Sequence, residues 1–464
     1  MVEHIKADVV VLGSGPGGMA AAYRAADCGM KVVMVEESSQ LGGVCLNVGC
    51  IPSKALLHTA SVIHEMKHMA DKGVEIEGLK IDAKKLRGWV KDQVIARLNK
   101  GVSFLAKKRH VDVIEGRATF KDAHTLTIHG DQTQELRFEK AIIAVGSRPV
   151  MLDSLPKDKR IFDSTGALEL KKIDGSLLIL GGGIIGLEMA CVYAALGAEV
   201  TVCEMMPHIG MGMDRDCVKV IQNEFKARGI RLMEQTQLMS CDAKKSGLQV
   251  VLENEQGQVT ETFDQMMVSI GRRPNGDQVG AENAGITVNE RGAIPVNDQL
   301  QTSQSHIYAI GDVTGKNLAH EATLMGHVCA EILAGHRKSY QQMIIPSVAY
   351  TDPEVAWAGL SEQEAKEKGF DVGVANFPWQ ASGRSLSHGR SEGLTKLFIN
   401  KKDRTILGAA IVGPHAGELI GECVLAMEMG CDIEDLALTV HPHPTFSETV
   451  ALAAENYLGV ITDL

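Results

Sequence analysis

The sequence predicts an α/β fold in which two strand–glycine turn–helix–strand units are followed by a smaller α+β region. Three observations carry this. The apolar run Val9-Val10-Val11-Leu12 has buried-strand length and passes directly into Gly13-Ser14-Gly15-Pro16-Gly17-Gly18. The same device recurs where Ser176-Leu177-Leu178-Ile179-Leu180 meets Gly181-Gly182-Gly183-Ile184-Ile185-Gly186. From Ile345 the texture changes to Pro346-Ser347-Val348-Ala349-Tyr350-Thr351-Asp352-Pro353-Glu354, then to short alternating strands and helices.

Each unit reads in order. After the first turn a helix is expected from Met19 to Gly29, then a second apolar run from Lys31 to Val35 ending at Glu36. After the second, a helix runs through Leu196 and a strand ends at Glu204, and the interval from Gly13 to Glu36 equals that from Gly181 to Glu204. Glycine lets backbone approach a pyrophosphate, the helix start donates amide hydrogens to it, and the terminal acid can hold a ribose diol. Both copies are complete, which points to two dinucleotide ligands.

Composition sets the bounds. A chain of 464 residues is too long for one core, and 48 glycines suit many tight turns. A net charge of −11 argues against nucleic acid and gives no reason to expect an anionic membrane. No apolar run approaches the ~20 residues that span a bilayer. The start, Met1-Val2-Glu3-His4-Ile5-Lys6-Ala7-Asp8, lacks the regions of a signal peptide. Ten cysteines without a framework pattern suit a reducing cytoplasm, where a disulfide is more often catalytic than structural.

Two short stretches carry candidate chemistry. In Gly42-Gly43-Val44-Cys45-Leu46-Asn47-Val48-Gly49-Cys50-Ile51-Pro52-Ser53-Lys54, two cysteines precede an apolar-periodic segment that reads as a helix from Ala55. Five residues of helical rotation bring the sulfurs within about a turn and a half, and Gly49 and Pro52 allow local unwinding. The spacing suits neither zinc nor a Cys-x-x-Cys pair. Spacing alone leaves two readings open, a redox pair or buried apolar cysteines. Near the other end, His441-Pro442-His443-Pro444-Thr445-Phe446-Ser447-Glu448 holds a histidine between prolines with an acid five residues on, able to orient one ring nitrogen while the other acts as base.

The cysteine stretch resembles the active-site disulfide segment of the pyridine nucleotide–disulfide oxidoreductases, and the resemblance covers the whole chain. Residues 141–149 and 266–275 resemble that family's crossings between its flavin and nicotinamide domains. Ile307-Tyr308-Ala309-Ile310-Gly311-Asp312 resembles its second flavin motif, in which the Asp binds the ribityl chain, and Leu318-Ala319-His320 follows as in relatives. The family's His-Pro-Thr-x-x-Glu pattern, which carries its catalytic base, maps onto His443 and Glu448. The resemblance implies two Rossmann-like dinucleotide-binding domains, the second inserted in the first, and a C-terminal α+β dimerisation domain. The expected boundaries are 1–148 and 275–345 for the FAD-binding domain, 149–274 for the NAD-binding domain and 346–464 for the interface domain.

The resemblance also implies roles. Cys45 and Cys50 form the redox-active disulfide, His443 is the base, Glu448 orients it, and Lys54 pairs with Glu188 beside the flavin. FAD is expected at Gly13, Gly15, Gly18, Glu36, Lys54, Gly146, Gly311, Asp312, Ala319 and His320. NAD is expected at Gly181, Gly183, Gly186, Glu204 and Gly271, with no metal. Glu321 and Met325 stand where relatives commonly carry Lys and Glu, and Pro442 where they more often carry Ala.

Within the family, the Leu-Asn-Val-Gly-Cys-Ile-Pro-Ser-Lys wording most resembles members that reoxidise dihydrolipoyl groups for 2-oxoacid dehydrogenase and glycine-cleavage systems. The expected unit is a homodimer in the cytoplasm, served by a lipoyl-bearing acyltransferase or carrier protein, since no lipoyl domain precedes residue 1. A glutathione-reductase-like enzyme would want basic residues after the second glycine turn, which Glu204 opposes. A mercuric-reductase-like enzyme would want a further cysteine pair in Val460-Ile461-Thr462-Asp463-Leu464, which has none. Transhydrogenase-like relatives lack the active pair altogether. A non-catalytic, flavin-loaded complex subunit should have lost one of Cys45, Cys50, Lys54, His443 or Glu448, and all five are present.

Overall fold

The computed structural model describes residues 4–341 and 343–462. Met1, Val2 and Glu3 of the leader reading, and Asp463 and Leu464 of the tail reading, lie outside the described residues. The strand His4–Leu12 pairs in parallel with Val32–Glu36 on one side and Thr133–Ile143 on the other. Residues 9–12 and 32–35 read as unbroken apolar runs because both faces of a parallel sheet are covered; Val9, Val10, Val11 and Leu12 are all buried. The helix between them runs Pro16–Asp27, starting three residues earlier than the apolar pattern indicates, because proline is accommodated in a first helical turn.

The long strand Thr133–Ile143 has two partners on its far edge. Its first half pairs antiparallel with Thr125–His129, while Ala141–Ile143 pair in parallel with Ile307–Ala309. The chain therefore re-enters its first sheet after building a second one. That second sheet runs Arg231–Met233, Glu199–Cys203, Ser176–Leu180, Gln265–Val268, Ile161–Phe162, all in parallel. At the passage between the sheets, Ser147–Pro149 and Arg272–Pro274 form a two-stranded ladder. The two Rossmann-like units expected from the glycine turns are thus what the sheets form, the second interrupting the first.

The C-terminal region is a five-stranded antiparallel sheet in the order Ser347–Ala349, Glu354–Gly359, Ile406–Gly413, Leu394–Asn400, Val372–Pro378. Helices Ala416–Met429 and Glu448–Leu458 pack on it. One continuous apolar core joins the regions, from Leu56 and Leu57 through Leu187 and Tyr193 to Val355 and Val412. Leu56 and Leu57 belong to the helix that begins at Cys50, so the cysteine segment is wedged where the three regions meet.

Candidate active site

The cysteine stretch folds as two helices, Gly43–Val48 and Cys50–Lys67, broken at Gly49, whose backbone (φ −144°, ψ −114°) leaves the helical region. The expected helix start at Ala55 is corrected to Cys50. Pro52 falls in the first helical turn, where a missing N–H costs nothing, and so does not delay the helix. The segment is seated on the first glycine turn. Gly42 N donates to the Ser14 carbonyl at 3.1 Å and to Ser14 Oγ at 3.0 Å. A Cβ on Gly43 would come within 2.8 Å of Gly15 Cα.

Cys45 and Cys50 are both partly buried. Their environments push them apart. The hydrogen bond from Cys45 and, against burial, the nearby Lys54 cation hold Cys50 below the ordinary thiol range, at about 7. Cys45 is pushed up, first by that same hydrogen bond and then by burial, with Asp312 adding to it. The pair thus favours a thiolate on Cys50 and a proton on Cys45.

Lys54 Nζ donates to both carboxylate oxygens of Glu188, at 3.0 and 2.9 Å. Glu188 is only 3% exposed. It is bridged because the helix Ile184–Leu196 packs against Cys50–Lys67. Tyr350 completes the arrangement: its backbone N–H reaches Glu188 Oε1 at 3.0 Å and its ring lies 4.7 Å from Lys54 Nζ. A buried carboxylate with a cation and an amide on it is satisfied, and it anchors the ammonium close to Cys50.

The two glycine turns repeat one geometry. A Cβ on Gly13 would meet the Ala144 carbonyl oxygen at 2.5 Å, and one on Gly18 the Gly13 oxygen at 2.0 Å. At the second turn the counterparts are Gly181 against the Ser269 oxygen at 2.5 Å and Gly186 against the Gly181 oxygen at 2.0 Å. The middle glycines, Gly15 and Gly183, face open space and cap the helices Pro16–Asp27 and Ile184–Leu196. A bare backbone cradle at a helix start is what a pyrophosphate needs, so the residues suit FAD at one turn and NAD at the other. Glu36 accepts from Ser14 N at 2.8 Å and Ser14 Oγ at 2.6 Å; Glu204 accepts from Gly182 N at 2.6 Å and Met206 N at 2.7 Å. Each carboxylate braces its turn and retains lone pairs for ribose hydroxyls.

Asp312 accepts from Ser147 Oγ at 2.5 Å, and Arg272 Nε donates to the same hydroxyl at 2.7 Å. Gly311 lies beside Asp312 in one helical turn, and Met325 Sδ accepts from Gly311 N at 3.5 Å. Gly146 and Gly271 stand at the ladder between the sheets, where their carbonyls accept from Asn275 N and Val150 N at 3.0 Å each. Ala319 and His320 begin the helix Ala319–Leu333, and His320 Nε2 donates to the Pro346 carbonyl at 2.8 Å. Glu321 is buried and takes Tyr340 Oη at 2.6 Å and Lys316 Nζ at 3.3 Å, so the acid is satisfied locally.

His443 stands apart from this assembly. Its Nδ1 pairs with Glu448 Oε1 at 2.9 Å, and Thr445 N holds Glu448 Oε2 at 2.7 Å. The imidazole is 80% exposed, with no other hydrogen-bond partner among the described residues. His441, by contrast, is tucked in, its Nε2 at 2.7 Å from Glu422 Oε1.

Sequence reasoning missed Tyr350, Ser14 and Ser147, and also the Asn47–Asn99 bond of 2.8 Å that ties the cysteine stretch to a distant helix. No local pattern marks them, since each acts across a long sequence separation.

Comparison with known proteins agrees with this geometry. Residues 7–326 match the model described as pyridine nucleotide-disulphide oxidoreductase, and residues 345–454 match that family's dimerisation domain. The dihydrolipoyl dehydrogenase of Haemophilus influenzae is 49% identical over 100% of this chain and 98% of its own. That of Geobacillus stearothermophilus is 42% identical over 98% and 97%. Among solved structures, the Cu(II) complex of the HOCl-induced flavoprotein disulfide reductase of Escherichia coli superposes with a TM-score of 0.87 at 28% identity, covering 97% of this chain and 99% of that one. With two cradled glycine turns, a polarised cysteine pair and matches across both family regions, the chain belongs to the pyridine nucleotide-disulphide oxidoreductase family.

Proposed function

We infer that the protein oxidises dihydrolipoyl groups with NAD+, using FAD, as an NAD-dependent dihydrolipoyl dehydrogenase. The observation that carries this is the Cys45–Cys50 pair, polarised by its own hydrogen bond and by Lys54, which Glu188 holds in place, and seated on the first glycine turn. Bound FAD would accept two electrons from the dithiol, and NAD+ would accept them finally as hydride. The flavin is held by Gly13, Gly15, Gly18, Glu36, Lys54, Gly146, Gly311, Asp312, Ala319 and His320, the nicotinamide nucleotide by Gly181, Gly183, Gly186, Glu204 and Gly271. The domain limits expected from sequence, 1–148 with 275–345, 149–274 and 346–464, follow the same reading.

The residues act in sequence. His443, oriented through Nδ1 by Glu448, takes a proton from one substrate thiol at Nε2. The substrate thiolate attacks Cys45 Sγ of the disulfide, forming a mixed disulfide and breaking the Cys45–Cys50 bond. Cys50 leaves as the thiolate that its environment favours, with Lys54 balancing the charge. The second substrate thiol then attacks the substrate's first sulfur in the mixed disulfide, breaking its bond to Cys45; the cyclic disulfide leaves and Cys45 departs with the proton, as a thiol.

The dimerisation region makes the working unit a homodimer. We assign His443 to the active site of the neighbouring copy, because its exposed Nε2 meets no acceptor among the described residues of its own chain. The reducing partner is a lipoyl-bearing protein of a multienzyme complex. Among the described residues no helix is long and apolar enough to cross a membrane; the cytoplasm is the proposed location, on the cysteine usage of the sequence.

Steady-state turnover of free dihydrolipoamide with NAD+ and with NADP+ tests the assignment. Glu204 should repel a 2′-phosphate, and an unpaired charge beside it costs on the order of several kcal/mol, so NAD+ should be strongly preferred. Equal efficiency with NADP+ removes that role from Glu204, and no turnover of dihydrolipoamide removes the function.

A further inference from the structure

The loop that carries His443 and Glu448 is held from inside the C-terminal region by groups that take no part in the chemistry above. Its Phe446 lies three residues after the base and two before the acid that orients it, and is only 7% exposed. The Phe446 ring stacks on the Trp379 indole, with centroids 5.1 Å apart and planes 20° from parallel. The Phe446 carbonyl is held by the same tryptophan through two hydroxyls. Trp379 Nε1 donates to Thr395 Oγ1 at 2.9 Å, Thr395 Oγ1 to Thr449 Oγ1 at 2.9 Å, and Thr449 Oγ1 to the Phe446 oxygen at 2.7 Å.

Each hydroxyl takes one hydrogen bond and gives one, so the relay has a single direction, and Trp379, Thr395 and Thr449 are all fully buried. The indole itself is fixed. A Cβ on Gly393 would come within 2.5 Å of Trp379 Cδ2, and one on Gly413 within 2.3 Å of Cζ3, so two glycines of the C-terminal region form its socket. On the loop side, Thr449 is the second residue of the helix Glu448–Leu458, next to the acid, and Thr445 N fixes the second Glu448 oxygen at 2.7 Å. A rigid sheet, a stacked ring and a run of hydrogen bonds thus set where His443 stands.

We propose that Trp379, Thr395 and Phe446 are positioning residues for the base, holding the His443–Glu448 pair in register from within the chain that supplies it. This rests on the reading of His443 as the base and names what keeps it in place. Their effect on the reaction passes through His443 alone. Thr395→Val keeps the shape of the side chain but strands the buried Trp379 N–H and removes the donor to Thr449. The indole relieves that by moving, and Phe446 moves with it.

The test uses the full-length, flavin-loaded protein throughout. In Thr395→Val, kcat/KM for dihydrolipoamide with NAD+ should fall roughly tenfold or more, since small displacements of a reacting group are costly. Thr395→Ser, which keeps the hydroxyl, should restore most of it. Added to His443→Gln, Thr395→Val should change turnover by less than about twofold, because the group it positions is already gone. Reduction of a soluble quinone by NADH takes no proton from a dithiol. It should stay near that of unaltered protein in Thr395→Val and so reports intact flavin and nucleotide sites. The same dependence should appear without substrate. Diethyl pyrocarbonate should acylate His443 more slowly in Thr395→Val than in unaltered protein or Thr395→Ser, because Nε2 is the better nucleophile when Glu448 holds Nδ1–H. Unchanged turnover or unchanged acylation in Thr395→Val overturns the proposal. So does a loss of the same size on the His443→Gln background, or a parallel loss of quinone reduction, since the relay then supports the fold at large. If unaltered protein fails to oxidise dihydrolipoamide, the function falls, and the acylation rates alone decide the relay.

Discussion

The two chemical centres of this chain are built to opposite standards. Cys45 and Cys50 lie partly buried, seated on a glycine turn, with Lys54, Glu188 and Tyr350 locked around them by hydrogen bonds of 3.0 Å or less. His443 has one oriented nitrogen and one that faces solvent. A base in that position has its tautomer set by Glu448 but lacks the second reactant. The contrast teaches that the cysteine half is assembled within one copy while the histidine half leaves one ring nitrogen open, which is the ground for proposing that a neighbouring copy completes it.

The largest effects should come from the enclosed half. Cys45→Ser and Cys50→Ser should each lower dihydrolipoamide turnover on the order of 10³-fold or more, because the disulfide cannot form. The charge should then separate them: in the reduced protein at neutral pH, ultraviolet absorbance should show a thiolate that Cys50→Ser removes and Cys45→Ser leaves. A thiolate lost in Cys45→Ser and kept in Cys50→Ser would reverse the assigned charges.

At the open half, His443→Gln should cost about 10²- to 10⁴-fold in turnover, the usual contribution of a positioned base. The thiolate on Cys50 should be unaffected, since among the described residues no hydrogen bond or ion pair joins His443 to it. A parallel loss of that thiolate would show that the centres are not separate in the way described.

Smaller still is the effect of the cation. Lys54 lowers the Cys50 thiol, so Lys54→Met should raise it, and the pH at which the thiolate absorbance reaches half its maximum should move upward from about 7. The thiolate fraction at neutral pH then falls. A downward or absent shift would mean that Lys54 does not govern the charge on Cys50.

Much of this was legible in the residues because it is local. The glycine turns, their closing acids and the His443–Glu448 spacing each complete a unit within one stretch of chain. What escaped was the long-range part. Tyr350 reaches Glu188, Ser147 reaches Asp312 and Asn99 reaches Asn47 only because separate sheets and helices come together. The helix start was displaced for a different reason: Pro52 reads as a breaker, yet in a first turn it removes no hydrogen bond. The buried ion pair of Arg228 and Arg390 with Asp352, at 2.9 and 2.5 Å, likewise has no sequence signature, although it ties the second unit to the C-terminal sheet.

Mixing two inactive variants addresses the division between copies most directly. Dimers carrying Cys45→Ser and dimers carrying His443→Gln are exchanged, and the heterodimer fraction is counted by native mass spectrometry. If His443 serves the neighbouring copy, each heterodimer combines one doubly damaged site with one intact site, and dihydrolipoamide turnover rises in proportion to the heterodimer to about half that of unaltered protein per dimer. If exchange is complete and turnover stays at the level of the parents, His443 acts within its own chain and the open half is not completed by a partner.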